Sequence, residues 1–113
     1  MSHDSNDIVM DRISNFLSSA IEKYPAVVNV DLVKSVHEWA STNIQWLVDE
    51  GLAVYYLLIA DTAIRLRSIG EITEIALKTL LTASTERVWH AFESEYYEYI
   101  VLCDIDGGGY YAG

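Results

Sequence analysis

The sequence has little of what cross-links or interrupts a chain, with one cysteine and one proline among 113 residues. Cys103 has no second cysteine to pair with, which excludes an internal disulfide and a cysteine-rich metal site. The apolar run over 53–60 is much shorter than the about 20 residues that cross a bilayer. The opening MSHDSND is acidic and polar, unlike a signal peptide. We therefore expect a cytoplasmic protein without a membrane segment.

Positive charge is also scarce, because seven Lys and Arg stand against 17 Asp and Glu, for a net charge of −10. The last part of the chain, 83–113, holds six of the acids and one base, Arg87, which gives it a net charge of −5 (one minus six). Such a field repels phosphate backbones and anionic membranes and attracts basic surfaces. The composition is otherwise that of a folded protein, and 113 residues predict a single domain.

The first helix is indicated by apolar residues that recur every three or four positions from Ile8 to Tyr24. Pro25 cannot continue a helix and is expected to end it. The next segment, AVVNV (26–30), is short and rich in β-branched residues, which favours an extended conformation.

A second helical pattern runs from Asp31, the expected N-cap, to Gly51. Ser41 is able to cap a separate third helix, and we favour two helices here. One helix over 32–50 fits nearly the same apolar residues and stays open as the alternative. In both cases Gly51 supplies the left-handed residue that commonly closes a helix.

Residues 52–69 allow two interpretations. LAVYYLLI is uncharged and rich in β-branched and aromatic residues, and in AIRLRSI apolar residues alternate with Arg65 and Arg67. These patterns favour two strands of a hairpin with a turn at ADT. A single helix over 52–69 is the alternative, because the same residues also form a stripe at helical spacing. Aromatic and β-branched side chains lose rotamer freedom in a helix, so we favour the hairpin.

Two further helices are predicted after Gly70. The first opens at Glu71, and its buried face is formed by Ile72, Ile75, Ala76 and Leu80. The second, over 84–103, is capped by Ser84 or Thr85 and carries an aromatic stripe. Residues 104–113 include three consecutive glycines and are expected to form a flexible tail.

This order of elements resembles a winged helix-turn-helix domain over about residues 8–82. The likeness lies in "LVDEGL", where a helix passes into a first wing strand, and in "IRLRSIG" (64–70), where a second wing strand precedes a helix. The predicted fold is therefore mainly α with a small β-hairpin, namely a winged-helix-like domain followed by a C-terminal aromatic helix over 84–103. The alternative is an all-α bundle of four to five helices.

The resemblance implies a recognition helix over 42–50 that enters the major groove of DNA. Asn43 and Gln45 are then the residues that read bases, and Arg65 and Arg67 those that contact phosphates. So few cations predict weak, salt-sensitive binding, and the net charge opposes it further. DNA binding is accordingly expected to be unfavourable.

A protein-binding surface is the stronger expectation. Trp46 lies off the predicted core face, and tryptophan is enriched at binding hot spots. Carboxylates interleaved with tyrosine near the C-terminus are suited to a basic groove on a partner. The candidate partner-binding residues are Trp46, Asp49, Glu50, Glu93, Glu95, Tyr97 and Glu98.

The aromatic stripe of the last predicted helix is either core or the contact of a homodimer, since monomers rarely expose large apolar patches. Its members are Trp89, Phe92, Tyr96 and Tyr99. No metal site is predicted, because neither His90 with Glu93 nor His37 with Glu38 has a third ligand at a recognisable spacing. No catalytic arrangement stands out either, and we expect neither a cofactor nor an enzyme.

Three classes of function follow from the sequence. The first is a non-enzymatic acidic protein that inhibits a target by occupying its nucleic-acid-binding surface, as small phage-type anti-CRISPR and anti-restriction proteins do. The second is a dimeric winged-helix transcriptional regulator, and the third is a structural subunit of a larger assembly. The charge favours the first and third classes, and the resemblance favours the second.

Overall fold

The computed structural model describes the backbone of residues 2–106 and the side chains of residues 5–102. This part of the chain folds into six helices and contains no strand. They are α1 (Ser2–Lys23), α2 (Val30–Asp49), α3 (Ala53–Ser68), α4 (Glu74–Leu81), α5 (Glu86–Glu95) and α6 (Tyr97–Asp106). The alternative all-α bundle is therefore correct in class, and the small β-hairpin is wrong.

The expected wing is a helix, α3, which lies at the centre of the bundle. Buried residues occur on nearly every side of it, including Tyr56, Ile59, Ala63 and Leu66. A helix that neighbours surround has to be apolar all round, so it lacks the polar stripe that usually identifies a helix in a sequence. The short alternation around Arg65 and Arg67 arises because both arginines lie at the edge of this buried surface. Burial on all sides thus outweighs the modest strand propensity of the segment.

Helix α2 is continuous through the predicted break at Ser41, so the single helix is correct and the two-helix interpretation is wrong. Its N-cap is Asn29, whose side chain accepts a hydrogen bond of 2.8 Å from the backbone N–H of Leu32, and not Asp31. Residues 26–30 are not extended, because Val27 and Val28 donate to the carbonyl of Tyr24 in a turn that follows the predicted end of α1.

Gly51 and Gly70 end α2 and α3 in the same way. Their φ angles are +64° and +78°, in the left-handed region that favours glycine. Behind Gly51, the N–H of Leu52 bonds to the carbonyl of Leu47 at 2.8 Å, which is the closing bond of a Schellman-type end. The prediction that Gly51 closes a helix is confirmed, but the chain continues from it into another helix.

The C-terminal region is two helices rather than one over 84–103. Thr85 caps α5, as one of the two expected residues, and the helix ends at Glu95 with Tyr96 as its C-cap. The change of direction lets α6 pack on α3 and bury Ile100. Of the predicted tail, 104–106 belong to α6, so that part of the expectation is wrong, and 107–113 lie outside the described residues.

An aromatic cluster joins α2, α3 and α5 and donates hydrogen bonds to backbone carbonyls at the C-terminal end of α4. The indole N–H of Trp89 donates to the carbonyl of Leu80 at 2.8 Å, and the Tyr56 hydroxyl donates to the carbonyl of Leu81 at 2.7 Å. Trp39 donates to Ala83 in the loop that follows. Carbonyls at a helix end have no partner within the helix, so these donors hold α4 in place.

The buried hydroxyl of Tyr56 should make the free energy of unfolding depend on pH in the alkaline range. Burial raises the pKa of Tyr56 above its ordinary value of 10.0. Above that value the unfolded chain loses a proton that the folded chain keeps, so the free energy of unfolding should fall as pH rises, by up to about 1.4 kcal/mol per pH unit. Urea denaturation at several pH values on both sides of the ordinary value measures this slope. Tyr56→Phe should reduce it, and an unchanged slope in that variant would contradict the assignment.

Candidate functional site

The predicted partner-binding residues fall on two different sides of α5. Trp46 stacks on Trp89, with ring centroids 5.6 Å apart and an interplanar angle of 27°. Tyr55, in the first turn of α3, donates a hydrogen bond of 2.9 Å to Glu93. The first contact places Trp46 of α2 against α5, and the second joins the start of α3 to the same helix. We call the surface formed by Trp46, Asp49, Glu50 and Glu93 the α2–α5 acidic face.

Asp49 and Glu50 lie at the C-terminal end of α2, where positive charge would be stabilising. The negative end of the helix macrodipole lies at the C-terminus, so cations are stabilising there and carboxylates are not. Asp49 is the last residue of α2 and Glu50 is its C-cap, and both are exposed. No base occupies the last turn of α2. The exposed Gln45 donates to Asp49 at 2.8 Å, which orients the carboxylate without neutralising it.

Glu93 lies at the comparable position in α5, whose last turn also holds no base. It accepts the hydrogen bond from Tyr55 and lies 3.6 Å from Nδ1 of His90. The other ring nitrogen of His90 is 3.5 Å from Glu86. Burial first, and then the neighbouring Glu93 carboxylate, raise the pKa of Tyr55, so its hydroxyl stays a donor. Glu93 therefore joins α3 to α5 as well as contributing charge to the face.

The other three predicted residues lie beyond Glu93 on the opposite side of α5 and on α6. Glu95, Tyr97 and Glu98 are exposed, and the Tyr97 side chain is 62% accessible. Glu95 faces α4 and not α2, as its position in a groove with Ile72 and Ala76 shows. The sequence analysis treated the C-terminal acids Glu93, Glu95 and Glu98 as one group, but the fold places Glu93 against α3 and Glu95 towards α4.

Each of the residues expected to read DNA has a partner within the chain. Asn43 donates to the carbonyl of Trp39 at 2.8 Å, and Gln45 accepts from Asn6 at 3.2 Å. Arg65 pairs with the buried Asp61 at 3.3 Å, and Arg67 reaches the carbonyl of Ile72 at 3.4 Å. The segment 42–50 is the second half of α2 and not a separate helix. All four side chains thus take part in the fold.

The aromatic stripe proposed for a homodimer is mostly core. Trp89 is fully buried, and Phe92 is 7% accessible. Tyr96 packs on Phe92 with ring centroids 5.0 Å apart, and Tyr99 is 41% accessible. Only the last two of the four rings are accessible to a second copy of the chain.

Sequence reasoning missed a groove between α4 and α5, and it also placed Ile75 wrongly on the buried face of α4. Leu77, Leu80 and Leu81 form that face, and Ile75 is 80% accessible. Each of the two helices packs on α3, and they leave between them a cavity of about 360 Å³. We call it the α4–α5 groove, and its lining is Ile72, Ala76, Thr79, Leu80, Val88, Ala91, Phe92, Glu95 and Tyr96.

Three observations bear on what the protein is. Among the described residues, no three His, Cys, Asp or Glu side chains converge as a metal site would require. Within the same part of the chain, no helix combines the length and apolarity needed to cross a bilayer. Comparison of the chain with family models, curated proteins and solved structures found no match in any of the three. Any function therefore has to be argued from the surfaces themselves.

Proposed function

We propose that this protein is a non-enzymatic acidic protein of the cytoplasm that binds the nucleic-acid-binding surface of a partner and thereby blocks it. The observation that carries the proposal is the pair of exposed carboxylates Asp49 and Glu50 at the C-terminal end of α2, where the last turn holds no base, next to the partly accessible Trp46. A basic groove on a partner offers the positive charge that the end of α2 lacks.

The energetics support this use of the face. A carboxylate at a helix C-terminus costs about 0.3–1 kcal/mol relative to a favourable charge there. The folded chain bears that cost at Asp49 and Glu50, and a Lys or Arg from a partner removes it. Trp46 adds apolar area at the same place, and tryptophans next to charged rims are typical anchors of interfaces. The acidic excess of the whole chain adds long-range attraction to a basic partner.

The engagement of Arg65 and Arg67 within the fold argues against direct DNA binding. Phosphate contacts supply most of the affinity for DNA, and each requires an available cation. Arg65 is held by Asp61, and Arg67 by the carbonyl of Ile72. We therefore expect no measurable binding to a random-sequence DNA duplex at physiological salt, and binding there would contradict the proposal.

A charge-reversal experiment tests the face. Asp49→Lys with Glu50→Lys raises the net charge from −10 to −6, since each change adds two units. We expect this variant to lose most of its ability to displace a DNA duplex from a linker histone, used as a basic nucleic-acid-binding probe. It should also gain up to about 1 kcal/mol in stability, because the new cations suit the helix end. Competition binding and urea denaturation give the two results.

The matched control is Asp11→Lys with Glu22→Lys, two exposed acids of α1. It produces the same net charge without touching the α2–α5 acidic face. We expect it to keep most of the competition activity. Equal losses in the two variants would mean that overall charge alone drives binding, and the proposed face would be rejected.

A further inference from the structure

The α4–α5 groove is an apolar surface with its own helical geometry, separate from the α2–α5 acidic face. Its wall on α5 consists of residues at helical steps, Val88, Ala91, Phe92 and Glu95. Its wall on α4 begins at Ile72 before the helix and continues along it at similar steps. Each wall contains one small residue, Ala76 on α4 and Ala91 on α5, and small side chains allow a bound segment to approach closely.

The groove continues past Thr79 onto the outer face of α4. Thr79 lines both this groove and a neighbouring cavity of about 350 Å³, in which Ile75 lies. Ile75 is the most accessible of the large hydrophobic side chains described. An apolar side chain left in water beside an open apolar groove is typical of an interaction surface rather than of a monomer's exterior.

The charge at the groove selects the occupant. Glu95 is the one charged residue among the described side chains that line it. In the neighbouring cavity the charges of Glu74 and Lys78 offset each other. The charge on the lining of the groove itself is therefore the single negative charge of Glu95.

We propose that the α4–α5 groove binds an amphipathic helix of a protein partner, with the apolar face of that helix between α4 and α5 and a Lys or Arg side chain against Glu95. Side chains at helical steps on two helices, with a depression between them, can accept a third helix by ridges-into-grooves packing. The eight residues of α4 span about 12 Å, which sets the contact at about two turns. The proposal does not rest on the function assigned to the α2–α5 acidic face.

The probe is a synthetic helical peptide of Leu and Lys with leucines at i, i+3, i+4 and i+7. A scrambled peptide of the same composition, without an apolar face, measures charge attraction alone. A Leu/Glu helix keeps the apolar face but carries charge of the sign that the acidic chain repels. We expect the Leu/Lys helix to bind at least about tenfold more tightly than either of the others. Fluorescence anisotropy of labelled peptide gives the affinities, and amide chemical shifts in NMR spectra should change along α4 and α5.

Ala91→Arg and Ser94→Arg form a matched pair on α5. Both residues are exposed, and both changes add one positive charge, but only Ala91 lines the groove. Ala91→Arg should weaken binding of the Leu/Lys helix by at least about tenfold and Ser94→Arg by less than about threefold. Circular dichroism verifies folding, and Thr79→Arg, in the opposite wall, serves as a second groove variant if Ala91→Arg fails to fold.

Several results would overturn the proposal. Equal weakening by the two α5 variants, or equal affinity for the helical and scrambled peptides, would show a purely electrostatic contact. Equal affinity for the Leu/Glu helix would reject the basic partner. Sedimentation of the wild-type protein alone as a dimer that Ala91→Arg dissociates would assign the groove to a second copy of this chain instead.

Discussion

Trp89→Ala should lower the free energy of unfolding by about 4 kcal/mol, within the range for large aromatic residues truncated in a core. Trp89 is fully buried and contacts Trp46 and Tyr56, with ring centroids at 5.6 and 5.5 Å. Truncation leaves a cavity at the meeting point of α2, α3 and α5. It also removes the donor to the Leu80 carbonyl and so releases the end of α4. Urea denaturation followed by far-UV circular dichroism measures the loss.

Two further variants separate these contributions. Trp89→Phe keeps much of the ring volume but cannot donate a hydrogen bond, so we expect a loss of about 1–3 kcal/mol. Trp46→Ala removes a ring that is only partly buried and should cost less than Trp89→Ala. A loss below about 2 kcal/mol for Trp89→Ala would mean that the core collapses onto the site, and the cluster would not be the centre of the fold.

Asp61→Leu is expected to cost about 3 kcal/mol, the low end of the range for breaking a buried ion pair. The carboxylate is buried in the middle of α3 and lies 3.3 Å from Nε of Arg65. Removing it takes away the buried carboxylate that pairs with the guanidinium. The Arg65 side chain is still 31% accessible, and water there reduces the penalty. Chemical denaturation of the variant and the wild type gives the difference.

The double variant Asp61→Leu with Arg65→Met tests whether the broken ion pair causes the loss of stability in Asp61→Leu. Replacing both members of a buried pair by apolar residues is often neutral, because no unpaired charge is left. We expect the double variant to recover most of the stability lost by Asp61→Leu alone. If both variants are equally unstable, the volume of the new side chains and not the unpaired charge is responsible. Because Arg65 supports the fold, a lost DNA interaction in Arg65→Ala would not by itself indicate a phosphate contact.

The sequence predicted the roles of Gly51 and Thr85 at helix ends correctly, but it predicted the wrong secondary structure for residues 52–69. Thr85 and Gly51 act through their own backbone and side-chain chemistry, so their roles follow from local sequence. Residues 52–69 are different, because their helical state depends on neighbours that bury them on nearly all sides. Without a polar face opposite, the stripe at helical spacing did not decide between the two interpretations, and local propensity then pointed to strands.

In the candidate sites, too, some features follow from the sequence and others depend on how the helices pack. Exposed acids near the C-terminus were evident from composition, but their separation onto two sides of α5 was not. Glu93 meets α3 through Tyr55, whereas Glu95 faces α4, and both facts depend on where neighbouring helices pack. Ile75 fitted the apolar stripe of α4 in the sequence, yet α3 packs against the other side of that helix.

The sequence by itself determined the acidic charge, the helix end at Gly51 and the cap at Thr85, because each depends on a residue's own chemistry or its nearest neighbours along the chain. Only the tertiary structure decided that α3 is the central helix, that Arg65 and Arg67 are engaged within the fold, and that α4 and α5 leave a groove. Those features arise from contacts between residues far apart in the chain, and hydrophobic burial at such contacts outweighs local preference.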